Sequence, residues 1–180
     1  MLSNRTYAFS RVPLENGWGY ARQPNLAEKV RWIAEQTARP IGLSRFGQYL
    51  TLFFEADMLA GNEDRHLNNI AVLRQGEGFD YCPLFDFGAG LLSNTRDYPL
   101  GIEPRAHLRL LRALPLGTTF GRHVQAAQTV YGPQLERGFT VDDIADVLAE
   151  PLGFYAQRDR ADIARQVTAC IQIRAKKLRR

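Results

Sequence analysis

Tyr49-Leu50-Thr51-Leu52-Phe53-Phe54, and beyond it Gly61-Asn62-Glu63-Asp64-Arg65-His66-Leu67-Asn68-Asn69, decide how this chain is read. Ser44 opens a helix over roughly 44–60 that is apolar on most of its faces, and such a helix belongs in a core. Gly61 supplies the positive φ that a helix C-cap favours. A short polar loop follows, and then Ile70-Ala71-Val72-Leu73 reads as a buried strand. Gly76-Glu77-Gly78 turns the chain into Phe79–Leu84, its expected hairpin partner.

Upstream, residues 1–24 contain Asn16-Gly17-Trp18-Gly19, Pro13 and Pro24 and read as turns and extended segments. Asn25 with Glu28 three positions later has the form of a capping box. The stripe Leu26, Val30, Ile33, Thr37 predicts a helix over 26–38, stopped before Pro40. Downstream, Gly90, Pro99, Gly101 and Pro104 make 89–104 a loop. Helices are predicted at about 105–114, 118–131, 140–149 and 159–178, the last from Ile163, Val167, Ile171 and Leu178. The fold class is therefore mostly α with a small β-hairpin. It is read as an N-terminal helical and extended segment, 1–43, and a domain over 44–180 whose end, 105–180, is a helical block.

Length and composition bound the rest. With 180 residues, 45% of them apolar, the chain can bury one core. No apolar run approaches the roughly 20 residues of a membrane helix, and Met1-Leu2-Ser3-Asn4-Arg5 lacks the apolar stretch of a secretory signal. Cys82 and Cys170 stand at no metal-ligand spacing and read as buried thiols of a reducing cytoplasm. All but three of the 23 basic residues are arginine, as a GC-rich coding background produces. Five of the last seven residues are cationic. Such a cluster can touch nucleic acid or an acidic partner, but it reads first as a solvated helix end favoured by the dipole. His107 and His123 have no acidic or thiol partner at ligand spacing and read as ordinary core or surface histidines.

Chemistry concentrates in the polar loop. Asp64 and Asn69 lie on it together, and Asp86 heads Asp86-Phe87-Gly88 beyond the hairpin. Phosphoryl transfer asks a protein mainly for positioning and charge neutralisation. Mg²⁺ takes oxygen ligands and draws only one or two from protein. Asp86 and Asn69 are candidate Mg²⁺ ligands against ATP phosphates, and Asp64 is the candidate acceptor of a hydroxyl proton. His66 on the same loop can reach the transferred phosphate or support Asp64. Arg65 reads as a structural partner of a nearby carboxylate. Phe85 and Phe87 read as packing residues, Phe85 being the candidate contact to the nucleotide. Ser93, Thr95 and Tyr98 fall in the following loop as candidate phosphorylation sites.

Asp64-Arg65-His66-Leu67-Asn68-Asn69 resembles the Asp-Arg-His-x-x-Asn loop of the phosphoinositide-kinase-like superfamily. With Leu52-Phe53-Phe54 and Gly61-Asn62-Glu63 before it, the segment resembles the HipA-type serine/threonine kinases of bacterial toxin–antitoxin systems. The resemblance implies the carboxy-terminal lobe of a protein-kinase-like fold. It implies Asp64 as catalytic base, His66 and Asn69 at nucleotide and metal, and Asp86 as the second metal ligand. It implies ATP and Mg²⁺ as cofactors and a protein Ser or Thr as substrate. It covers about 44–92. Kinases also hold ATP with a Gly-rich loop and a strand lysine upstream of the catalytic loop. Here Gly17-Trp18-Gly19 and Lys29, the latter on a predicted helix, are the only candidates. The alternative is thus a catalytically incomplete subunit that binds a partner chain, one supplying the missing lobe or an antitoxin. A metal-dependent phosphohydrolase, using the same carboxylates on water, is a third and weaker reading.

Overall fold

The computed structural model describes residues 8–11, 18–66, 69–113, 117–136 and 138–178. Gly17, Leu67, Asn68, Arg179 and Arg180 lie outside them. The described chain is mostly helical with one small antiparallel sheet. Its elements are β1 (Ala8–Arg11), α1 (Trp18–Ala21), α2 (Leu26–Ile41), α3 (Phe46–Ala60), β2 (Ala71–Gln75) and β3 (Gly78–Tyr81). There follow α4 (Pro104–Leu108), α5 (Phe120–Tyr131), α6 (Val141–Leu152) and α7 (Gln157–Leu178).

Helix α3 is the centre of the core. Phe46, Leu50, Phe53, Phe54 and Met58 are all buried, as its nearly continuous apolar sequence requires. Helix α2 lays Val30, Ile33, Ala34 and Thr37 against it, so the residues before 44 contribute to the same core. Asn25 caps α2 by accepting from the Glu28 amide. The helix does not stop before Pro40: it runs to Ile41 and ends at Gly42, whose φ is +71°. Proline in a last turn forfeits one hydrogen bond, and the left-handed glycine is the stronger stop. Helix α5 approaches α3 closely, since a Cβ on Gly47 would stand 2.2 Å from the Tyr131 ring.

A buried carboxylate within α3 and a glycine at its C-terminus fix the helix in place. Buried Glu55 accepts hydrogen bonds from Gln128 and from the backbone amides of Gln134 and Leu135, tying α3 to α5 and the chain beyond it. At the C-terminus Gly61 adopts φ +66°, as the sequence predicts, and turns the chain into the polar loop.

The sheet is larger than a hairpin. β2 and β3 pair across Gly76-Glu77, with Gln75 opposite Gly78, and β1 adds itself to the other edge of β2 with Phe9 opposite Leu73. The hairpin's second arm ends at Tyr81 rather than continuing to Leu84. The predicted helix over 105–114 is also shorter: α4 ends at Leu108, and Ala113 instead pairs with Thr118. Helices α5, α6 and α7 lie where periodicity put them, within a few residues at each end. Thr140 and Asp143 form a reciprocal capping box that starts α6. No helix among the described residues is long and apolar enough to cross a membrane.

Candidate active site

Arg65 organises the candidate site. Its side chain is fully buried, with 0% exposure. Nε and Nη2 donate to the Asp57 carboxylate at 2.9–3.2 Å, a bidentate pairing of the kind arginine's planar fork suits. Nη1 donates to the Asn69 carbonyl at 3.1 Å and Nη2 to the Phe85 carbonyl at 2.8 Å. The guanidinium sits 4.7 Å from the Phe53 ring centroid and 5.0 Å from that of Phe87. One side chain therefore joins α3, the polar loop and the segment that carries Asp86. Burial pushes the Asp57 carboxyl above its ordinary range, while Arg65 and Asn62 pull it back.

Asn62 makes the same junction one residue row away. Its Nδ2 donates to Asp57 Oδ1 at 2.8 Å and to the Asp86 carbonyl at 3.1 Å. Both partners are acceptors, which fixes the amide's orientation and leaves Oδ1 buried with no hydrogen-bond partner among the described residues. The half-buried His66 ring likewise has a buried Nδ1 without one. Unsatisfied buried polar atoms are rare, and among the described residues two fall on this one loop.

The sequence-singled residues are placed as follows. Asp64 is exposed on the loop after Gly61. Asn69 is half-buried; its backbone amide donates to the His66 carbonyl and its Nδ2 to the Asp64 carbonyl at 3.4 Å. Asp86 is exposed and takes φ +59°, a left-handed conformation uncommon for a non-glycine residue. Phe85 is half-buried, its ring 6.3 Å from that of Phe53 and 5.9 Å from the Arg65 guanidinium, so it packs within the junction. Asp64, Asn69 and Asp86 thus come from two segments that Arg65 and Asn62 hold together.

The chain after Asp86 is folded back on α3. Leu91 and Leu92 both have positive φ, 58° and 59°, which branched side chains seldom adopt. The Leu91 amide donates to the Ala60 carbonyl and Gln166 of α7 donates to the Leu92 carbonyl, which holds them there. Ser93 donates to the Gly88 carbonyl at 2.6 Å. Tyr98 is buried and donates to Glu63, and burial with that carboxylate pushes its pKa up. Of the three hydroxyl residues in this loop, Ser93 and Thr95 are exposed and Tyr98 is not. Glu63 also receives the Arg112 amide, which anchors the residue next to Asp64.

Sequence reasoning did not single out Asp57, although Glu55 and Asp57 are two carboxylates inside a helix that is apolar on most of its faces. That contradiction was the available signal, because a buried charge requires a partner. The upstream candidates for holding phosphate are placed in helices. Trp18-Gly19 lies in α1, where Gly19 packs so tightly on Trp32 that a Cβ would stand 2.3 Å from that ring. Lys29 is on α2, as expected. Cys170 is buried, with its thiol pushed up to about 11, and Cys82 is buried as well. His107 and His123 are both core residues. No protein-family model, no curated protein and no solved structure matches the chain.

Proposed function

We propose that this chain is an ATP- and Mg²⁺-dependent phosphotransferase of the HipA-like kinase type, a kinase C-terminal lobe that acts on a protein Ser or Thr in the cytoplasm. The observation that supports it is the Arg65 junction, which ties the Asp64–Asn69 loop to the Phe85–Gly88 segment through the Asn69 and Phe85 carbonyls. The donor set suits the metal: an exposed carboxylate on Asp86 and the side-chain amide oxygen of Asn69 are hard oxygen ligands of the number Mg²⁺ draws from protein. Among the described residues no three His, Cys, Asp or Glu side chains form a metal cluster. A cation shared with nucleotide phosphates does not need one.

In this reading Asn69 and Asp86 hold Mg²⁺, which when bound neutralises charge on the ATP phosphates. Asp64 accepts a hydrogen bond from the target hydroxyl and takes its proton. His66 contacts the transferred phosphate, and the exposed position of Asp64 leaves room for a protein substrate.

A second reading has its own support. Gly19 is committed to Trp32 and Lys29 is helical, so the described residues supply no strand lysine or phosphate-cradling loop. On that reading the chain is a half-enzyme completed by a partner chain, such as an antitoxin or a chain bearing the other lobe.

Thermal unfolding with saturating Mg-ATP separates them. An active lobe is stabilised by mass action, loses the shift in Asp86→Ala, and transfers labelled phosphate in a reaction that Asp64→Asn slows at least ~100-fold. No shift, or an equal shift in Asp86→Ala, leaves the half-enzyme; transfer that survives Asp64→Asn removes the base assignment.

A further inference from the structure

Among the described residues the non-glycines with positive φ all lie on the stretch that leaves β3: Asp86, Leu91 and Leu92. That region crowds a Cβ against the following carbonyl, so a residue stays there only where its surroundings compel it. For the leucines the compulsion serves packing. Leu92 is fully buried, and bonds to Ala60 and from Gln166 hold the pair in place. Asp86 is exposed and buries nothing, yet it too is held, by Asn62 Nδ2 donating to its carbonyl at 3.1 Å. Glycine would take this φ of +59° freely. A carboxylate kept where glycine fits better points to a use for the carboxylate.

Asn62 is placed to impose that conformation. It is 1% exposed, and its backbone amide donates to the Asp57 carbonyl at 2.9 Å, which continues the end of α3. Its side-chain nitrogen carries two hydrogens. One goes to Asp57 Oδ1 at 2.8 Å and the other to the Asp86 carbonyl. Asp57 is itself gripped by the Arg65 fork, so the anchor of the amide cannot swing. An aspartate at 62 could serve neither acceptor as a carboxylate, and a serine hydroxyl could serve one.

We infer that Asn62 is a positioning residue for Mg²⁺: it locks the Asp86 backbone in the left-handed region before any ligand arrives, and so fixes where the metal-binding carboxylate stands. The inference rests on the phosphotransferase reading for its cation and on the strained backbone for its device. A ligand ordered in advance does not charge its ordering to binding. Loss of Asn62 therefore weakens Mg²⁺ capture more than it slows the transfer step.

The first readout needs no ligand. Glycine at 86 escapes the strain that alanine keeps, so Asp86→Gly should unfold about 2–4 °C above Asp86→Ala. In an Asn62→Ala background the segment is free to leave the left-handed region, and that gap should shrink or reverse. The second readout is the thermal shift with a non-hydrolysable ATP analogue as free Mg²⁺ is raised. Asn62→Ala should move its half-point up about tenfold or more. In phosphate transfer KM for Mg²⁺ should rise alike, with kcat at saturating Mg²⁺ falling less than about threefold. Asn62→Ser, which keeps one donor, carries the same comparisons if Asn62→Ala does not fold. No gap between the two Asp86 variants, or an equal gap in both backgrounds, overturns the inference. So does an unchanged Mg²⁺ dependence in Asn62→Ala, the result of a merely structural role, and it leaves the phosphotransferase reading standing. A wild-type chain with no Mg²⁺-dependent shift sinks that reading, and the inference with it.

Discussion

Two arginines are buried among the described residues, and the fold treats them in opposite ways. Arg65, in the junction, spends its guanidinium on the Asp57 carboxylate and two carbonyls. Arg174, near the end of α7, is 4% exposed, and its Nε and Nη2 have no hydrogen-bond partner among the described residues. It lies 4.7 Å over the Phe120 ring instead, and burial lowers its pKa. His123 shows a third way: it sits in the core against Phe54, and burial lowers its pKa to about 4, so it stays neutral. A buried cation is thus paired, stacked or discharged, and the choice separates a rigid junction from a merely tolerated burial.

Arg65→Met should cost the most. It strands a buried carboxylate, a loss of about 3–5 kcal/mol, read as a drop in unfolding midpoint with loss of any Mg-ATP shift. Asp57 then relieves itself by protonation, so the deficit should shrink at pH 5 relative to pH 8. Arg65→Lys keeps the charge but not the fork and should recover only part of the stability. A silent Arg65→Met would break the contrast with Arg174 outright.

His123 gives the next largest effect. Below pH 6.5 the unfolded chain takes up a proton that the folded core refuses until about pH 4. Stability attributable to this residue is present above pH 6.5, falls between 6.5 and 4, and levels off below, a total on the order of 3 kcal/mol. Denaturant titrations of wild type and His123→Phe across that window should diverge from each other by that amount. Parallel pH profiles would contradict a neutral buried imidazole.

Arg174→Met is expected to change least, staying within about 1 kcal/mol of wild type or rising above it. The lost ring contact is offset by relief of desolvation. A loss as large as that of Arg65→Met would show that Arg174 is paired in solution.

The site was legible in the sequence to the extent that its parts are local. Asp64, Asn69 and their loop follow from Gly61 ending a buried helix, and Asp86 from the triplet beyond the hairpin. Arg65 was readable as the structural partner of a nearby carboxylate. Which carboxylate was not readable: Asp57 sits one loop away on α3, and only the close approach of three segments makes it the partner. The short α4 shows the same limit, since Ala113 pairs with Thr118 where periodicity predicted continued helix. Pro40 was misread because a breaker's cost depends on whether its lost bond falls inside a helix or in its last turn.

By itself the sequence determined the longer helices, where the buried one ends, and which polar residues share a loop, because periodicity, capping and turn chemistry act within a few residues. The short helix Trp18–Ala21, in a stretch read as turns and extended chain, it did not. Tertiary structure alone decided that β1 joins the hairpin, that Asp57 answers Arg65, and that Asn62 reaches Asp86. Those outcomes depend on which distant surfaces meet, and burial, the force that selects them, has no address along the chain.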